Sequence, residues 1–213
     1  MINAVIFDLD GVIVDTAKYH FHAWRRLARE LGIDLTEKEN EKLKGVSRMQ
    51  SLQIILDLGN IDLSRERKEA MADRKNEWFV EYVEAMKPDE IFPGVKELIL
   101  AIRKKGIKVA LASSSKNAPR VVELLGIGNL FDVIVDGSMI VDTKPDPEIF
   151  LLTAQKLGVR PQDCVVFEDA EAGVEAAHRA GMKCVGVGSE NLSKADMIVT
   201  RTADFLVDQL NLL

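Results

Sequence analysis

Asp8 and Asp10 stand two residues apart in Phe7-Asp8-Leu9-Asp10-Gly11, directly after the apolar run Ile2 to Phe7. In an extended chain, residues two apart point to the same side, so the two carboxylates converge while Leu9 faces away. Carboxylates this close repel unless a cation or a shared proton lies between them. A second acidic pair, Glu168-Asp169, follows another apolar run, Cys164 to Phe167. Taken alone, that pair reads equally well as a helix N-cap with a favourable dipole charge. In a parallel sheet, however, the ends of different strands share one edge, where ligands bind. Two acidic clusters on that edge need a hard cation bound by oxygen, and magnesium both suits such ligands and commonly accompanies phosphate.

Two further segments supply what a phosphate needs. Ser113-Ser114-Ser115-Lys116-Asn117 follows the apolar run Ile107 to Ala112 and leads into a helix. Hydroxyls, backbone amides and a helix N-terminus can together hold phosphoryl oxygens. Lys144-Pro145 follows a short strand, and its lysine is placed to neutralise a transferring phosphoryl group. Singly, each segment also passes for an ordinary turn, cap or solvated lysine. Together, four loops on one edge carry a nucleophile, cation ligands, hydroxyls and a lysine, the parts of a phosphoryl-transfer site.

The elements that must position these loops follow from periodicity. Ile2 to Phe7 reads as a buried parallel strand. From Thr16 to Lys87 the pattern turns helical, with Phe21, Trp24, Leu27, Ala28 and Leu31 on one face. Met71, Trp78, Phe79 and Tyr82 mark the apolar face of another helix, with Ser64 as a partial N-cap. From Pro93 onward strands and helices alternate, including a helix from Pro147 to Leu157 capped by Asp146. The expected fold is α/β, a Rossmann-like parallel sheet core of residues 1–15 and 89–213 with an inserted all-helical domain, residues 16–88.

Among its 213 residues, 47% are hydrophobic, which supports a sizeable core and argues against disorder. The formal net charge of −6 provides no basic field for nucleic acid or anionic membrane, so neither is an expected partner. No apolar segment approaches the length of a membrane span. The start of the chain shows no basic n-region or cleavage site, and a cytoplasmic location is expected. Cys164 and Cys184 lie in apolar runs and read as buried thiols. His20 and His22, two apart, share a helix face poorly and do not make a paired metal site.

The four ordered motifs, Phe7-Asp8-Leu9-Asp10-Gly11-Val12, Ala112-Ser113-Ser114, Lys144-Pro145-Asp146-Pro147 and Phe167-Glu168-Asp169-Ala170, resemble those of the haloacid dehalogenase superfamily. The resemblance spans essentially the whole chain, and the helical insert resembles the superfamily's small cap domain. Asp10 to His20, Leu43 to Arg48, Arg74-Lys75-Asn76 and Ser115-Lys116-Asn117 resemble signature stretches of the β-phosphoglucomutase family within it. That resemblance implies that Asp8 is the nucleophile and Asp10 the general acid and base. It implies magnesium held by Asp8, the carbonyl of Asp10, Glu168 and Asp169. Ser113, the amide of Ser114 and Lys144 would hold the transferring phosphoryl group. A cis Lys144-Pro145 bond is expected, chiefly from the family likeness of the motif, and X-Pro is the bond type in which cis costs least. Arg48, Ser115, Lys116 and Asn117 would hold the other phosphate. Thr16, His20, Lys44, Gly45 and Lys75 join the expected substrate contacts, with His20 on the cap side.

Three readings are open. A sugar phosphomutase, acting as a monomer on a small sugar phosphate, fits the resemblance best. A sugar-phosphate phosphatase of the same superfamily would pass the phosphoryl group from Asp8 to water. A non-catalytic binding protein would be expected to lack one of the acids, and none is missing.

Overall fold

The computed structural model describes residues 1–43, 46–188 and 192–213, so Lys44 and Gly45 of the expected substrate contacts lie outside the described residues. The chain divides into two compact units, Met1–Asp15 with Lys87–Leu213, and Thr16–Met86.

The first unit is built on six parallel strands: β1 (Ala4–Phe7), β2 (Lys108–Ala112), β3 (Val133–Val135), β4 (Cys164–Glu168), β5 (Lys183–Val187) and β6 (Met197–Val199). Their order across the sheet is β3-β2-β1-β4-β5-β6. This is the doubly wound order in which the chain reverses direction at β1 and β4, and crevices form at the carboxyl ends there. Phe7 pairs in register with both Leu111 and Phe167. Asp8, Ala112 and Glu168 therefore come level on one edge.

All of β1 and β4 is buried, which is why these strands read in sequence as continuous apolar runs. One sheet face packs Ile6, Ala110 and Val166 against Ile149 and Phe150 of α7 (Glu148–Leu157) and Val174 of α8 (Glu171–Arg179). Truncating Phe150 to alanine there would cost about 3–5 kcal/mol. Cys164 and Cys184 belong to the same cluster as free thiols, and burial pushes Cys164 up to about 12. Helix α7 begins one residue later than expected. Pro147 is its N-cap, and the Asp146 carboxylate accepts the amide of Glu148 at 2.9 Å.

The second unit holds α1 (Ala17–Glu30), α2 (Glu37–Asn40), α3 (Arg48–Leu58) and α4 (Arg65–Val83). Capping boxes start α2 and α3, Thr36 with Glu39 and Ser47 with Gln50. Ser64 accepts the amide of Arg67 at 3.4 Å and caps α4. Trp24, Leu27 and Ala28 pack with Leu52, Ile55 and Ala72. The buried face of α4 differs from the expected one: Ala72, Lys75, Phe79 and Val83 are buried, while Met71 and Trp78 sit at the cluster's margin. Cation–π contacts explain the change. The Lys75 ammonium lies over the rings of Trp24 (4.5 Å) and Phe79 (5.0 Å), so a lysine takes an inner place. Arg26 and Arg74 cover Trp78 at 4.0 and 5.2 Å. Among the described residues, no helix is long and apolar enough to cross a membrane.

Candidate active site

Asp8 leaves the end of β1 with its amide bonded to the carbonyl of Phe167 at 3.0 Å, so the sheet itself fixes its backbone. Its carboxylate is held from two sides. Lys144 Nζ donates to Oδ1 at 2.6 Å, and the amide of Asp10 donates to Oδ2 at 3.0 Å. The same lysine also donates to Glu168 Oε1, while the amide of Ala170 donates to Glu168 Oε2 at 3.1 Å. Lys144 and Glu168 are each only 1% exposed. Burial alone would lower the lysine's pKa, but the charges of Asp8 and Glu168 reverse this and raise it. It is a fixed cation.

One ammonium cannot satisfy three acids. Burial, then the neighbouring charge of Asp8, pushes Asp10 up to about 8. Burial likewise pushes Glu168 up to about 7, although Lys144 opposes the shift. Asp10 Oδ1 is buried and makes no hydrogen bond within the protein. Burial and the Asp8 charge thus both favour the protonated form of Asp10, the form in which a carboxyl can give a proton.

Two glycines let the acids approach. A Cβ on Gly11, whose φ is +74°, would fall 2.1 Å from Asp169 Oδ2. One on Gly173 would fall 2.0 Å from Glu168 Oε1. Any side chain at either position would displace a carboxylate.

Beside β1, the turn after β2 carries Ser113, buried, with its amide on Val135 O at 3.0 Å. Its hydroxyl accepts the amide of Ser115 at 3.2 Å, and the Ser115 hydroxyl accepts that of Asn117 at 3.2 Å. Asn117 is the N-cap of α6 (Ala118–Leu125), and Ser114 Oγ is buried without a partner. Lys116 is exposed. The loop of Lys144 has the expected cis bond to Pro145. Glu148 staples that loop by accepting the amides of Val141 (2.9 Å) and Asp142 (2.7 Å).

The structure thus brings Asp8, Asp10, Lys144 and Glu168 together, with Asp169 against Gly11 and Ser113 to Asn117 on the neighbouring strand. Among the described residues, no three His, Cys, Asp or Glu side chains converge as a ready metal cage, and the Lys144 ammonium stands between Asp8 and Glu168. The donor set nevertheless fits magnesium in kind. It is made of the carboxylates of Asp8, Glu168 and Asp169 with the backbone carbonyl of Asp10, all hard oxygens.

The helical unit gathers a second polar group. Lys75 Nζ lies 2.7 Å from His20 Nδ1, and the His20 ring stacks on Phe79 at 3.9 Å. An ammonium can only donate, so His20 is neutral with its proton on Nε2. Burial, then the charges of Lys75 and Arg48, holds its pKa well below the usual histidine range. Arg48 donates to Asn76 Oδ1 at 2.8 Å, and Thr16 is buried on the first turn of α1. The Glu148 staple gave no signal in sequence, since a first-turn glutamate is ordinary in any helix.

Comparison with known proteins gives the family. The haloacid dehalogenase-like hydrolase family model matches residues 2–181. The chain is 42% identical to β-phosphoglucomutase of Bacillus subtilis, over 98% of this chain and 94% of that one. It is 38% identical to a phosphorylated carbohydrates phosphatase of Thermotoga maritima, over 85% and 82%. The crystal structure of β-phosphoglucomutase from Clostridium difficile superposes with a TM-score of 0.95 at 46% identity, covering 99% and 96%. With its motif residues, its sheet order and these relatives in agreement, the chain belongs to the haloacid dehalogenase-like hydrolase family.

Proposed function

We propose that this chain is a β-phosphoglucomutase, interconverting β-D-glucose 1-phosphate and glucose 6-phosphate through an aspartyl-phosphate and a bisphosphate intermediate. The observation that carries the reading is the buried Asp8–Lys144–Glu168 cluster with the buried, unpartnered Oδ1 of Asp10 beside it.

Asp8, held by Lys144 and the Asp10 amide, offers an oxygen to the phosphorus of a sugar bisphosphate. As that bond forms, the phosphorus–sugar oxygen bond breaks and its electron pair stays on the sugar oxygen, which takes the proton of Asp10. In the second half, a hydroxyl of the other monophosphate attacks the aspartyl-phosphate and gives its proton to Asp10, restoring both acids. Lys144 and the Ser113–Ser114 turn balance the charge on the moving phosphoryl oxygens. Magnesium, when held by Asp8, the Asp10 carbonyl, Glu168 and Asp169, would neutralise the charge that builds on those same oxygens.

We assign Arg48, of the helical unit, to the phosphate that is not being transferred. A guanidinium suits this task because it grips phosphate with paired hydrogen bonds. The neutral His20, fixed by Lys75, contributes a substrate contact from the same unit. We assign a monomer acting on small sugar phosphates.

A second reading, sugar-phosphate hydrolysis, is favoured by the relative from Thermotoga maritima named as a phosphatase. Both readings share the covalent step, which an acid quench followed by peptide mapping tests. Phosphate on Asp8 is expected. Phosphate on a serine or histidine would end both.

A further inference from the structure

The segment after β6 carries none of the four motif loops and lies beyond the span of the family model, yet it is fastened to them. The side chain of Thr202, 1% exposed, donates from Oγ1 to the carbonyl of Val12 at 2.6 Å, joining residues 190 positions apart. Val12 sits in the turn by which the chain leaves Asp10. There the amide of Gly11 donates to Val14 O at 2.9 Å, and the amides of Ile13 and Val14 donate to Leu9 O at 3.0 and 3.2 Å. The next residues of the segment grip neighbouring pieces. Ala203 abuts Gly94, where an added Cβ would come within 2.6 Å of its own. Gly94 follows Phe92, whose amide donates to Ile13 O at 2.9 Å. Phe205 meets the ring of Phe167 edge-on at 5.0 Å, one residue before Glu168.

We infer that Thr202 is a positioning residue: through Val12 it fixes the turn that aims Asp10. The inference rests on the reading of Asp10 as the acid and base. Asp8 depends on Thr202 less, because its own amide is tied to Phe167 and one carboxylate oxygen to Lys144, and only the other oxygen rests on the amide of Asp10. Loss of the hydroxyl should therefore divide the chemistry. Phosphorylation of Asp8 by an ester whose leaving group departs without a proton needs Asp8 alone, whereas expelling a sugar oxygen, or activating a hydroxyl against the aspartyl-phosphate, needs Asp10 in place.

Thr202→Val keeps the shape and removes the donor. With p-nitrophenyl phosphate, whose phenolate leaves unprotonated, the single-turnover rate of phenolate release should stay within about threefold of the parent chain, since this step phosphorylates Asp8 without calling on Asp10. With β-glucose 1-phosphate, kcat should fall about 10- to 100-fold at little-changed KM, the scale expected when a reacting group is slightly misplaced. Thr202→Ser, which restores the donor, should recover the sugar rate. Circular dichroism at the assay temperature confirms that the compared proteins are folded. If Thr202→Val does not fold, Thr202→Ala, smaller and without a donor, takes its place. A wild-type sugar rate in either variant overturns the inference. An equal loss in the phenolate-release step and in the sugar rate of a folded variant also overturns it, since that marks a merely structural contact. Failure of the mutase reading would show separately, in the parent chain's own products, because hydrolysis of a sugar phosphate draws on the same proton of Asp10.

Discussion

At the carboxyl ends of β1 and β4, Asp8, Asp10 and Glu168 are clustered around one ammonium, that of Lys144. Asp196, just before β6, instead receives Lys183 at 2.7 Å, His178 at 2.9 Å and the amide of Cys184 at 2.9 Å. The same chemical group ends in opposite states. Asp10 is pushed up to about 8, by burial and then by Asp8. Asp196 feels burial too, but its hydrogen bonds from Lys183, Cys184 and His178 outweigh it and bring the pKa down to about 2. Asp196 is wired for stability, pinning β5 to the approach of β6. The edge cluster is left short of donors, and that shortage lets an acid keep a proton for transfer.

The contrast can be broken by substitutions at either place. Asp8→Asn removes the attacking oxygen, so turnover should vanish and no acid-stable phosphoenzyme should form. Asp10→Asn should cost a factor of about 10² to 10⁴ in kcat with sugar phosphates. Its melting temperature should not fall, because the buried Oδ1 has no partner to lose. A large destabilisation in that variant would mean that Asp10 is structural after all.

Arg48→Ala tests whether the helical unit takes part. Loss of a charged grip on phosphate should slow isomerisation about 10- to 100-fold while leaving p-nitrophenyl phosphate hydrolysis nearly unchanged. Normal isomerisation would remove Arg48 from the site.

The smallest effect is expected at the stability-wired carboxylate. Asp196→Asn should leave turnover per folded molecule unchanged and cost about 1 kcal/mol near neutral pH, allowing for partial solvent screening. The folded pKa, about 2, lies below the ordinary 3.8. Its stabilisation is thus present above about pH 4 and fades as pH falls towards 2. Melting curves of both proteins should converge over that window. A gap that widens in acid would reverse the assignment.

Much of the α/β unit was legible in sequence because its strands are buried on both faces, and such strands read as unbroken apolar runs ending in the motif loops. Parallel order then forces Asp8, Ser113 and Glu168 onto one edge, so the candidate site could be named from strand ends alone. The inner face of α4 is legible only in part, through Phe79 with Met71 and Trp78 at its margin, for a physical reason. Periodicity counts a lysine as polar, whereas Lys75 is buried by the rings of Trp24 and Phe79. The Thr202 bond left no local trace at all, since a donor and acceptor 190 positions apart meet only after the sheet has formed. Glu148 was hidden by its ordinariness.

The central claim is that the phosphoryl group taken by Asp8 returns to a sugar and not to water. Product analysis of the pure protein with β-glucose 1-phosphate, magnesium and a trace of the bisphosphate measures this directly. Glucose 6-phosphate should accumulate with little free glucose. Free glucose and inorganic phosphate appearing faster than glucose 6-phosphate would contradict the mutase and establish the phosphatase.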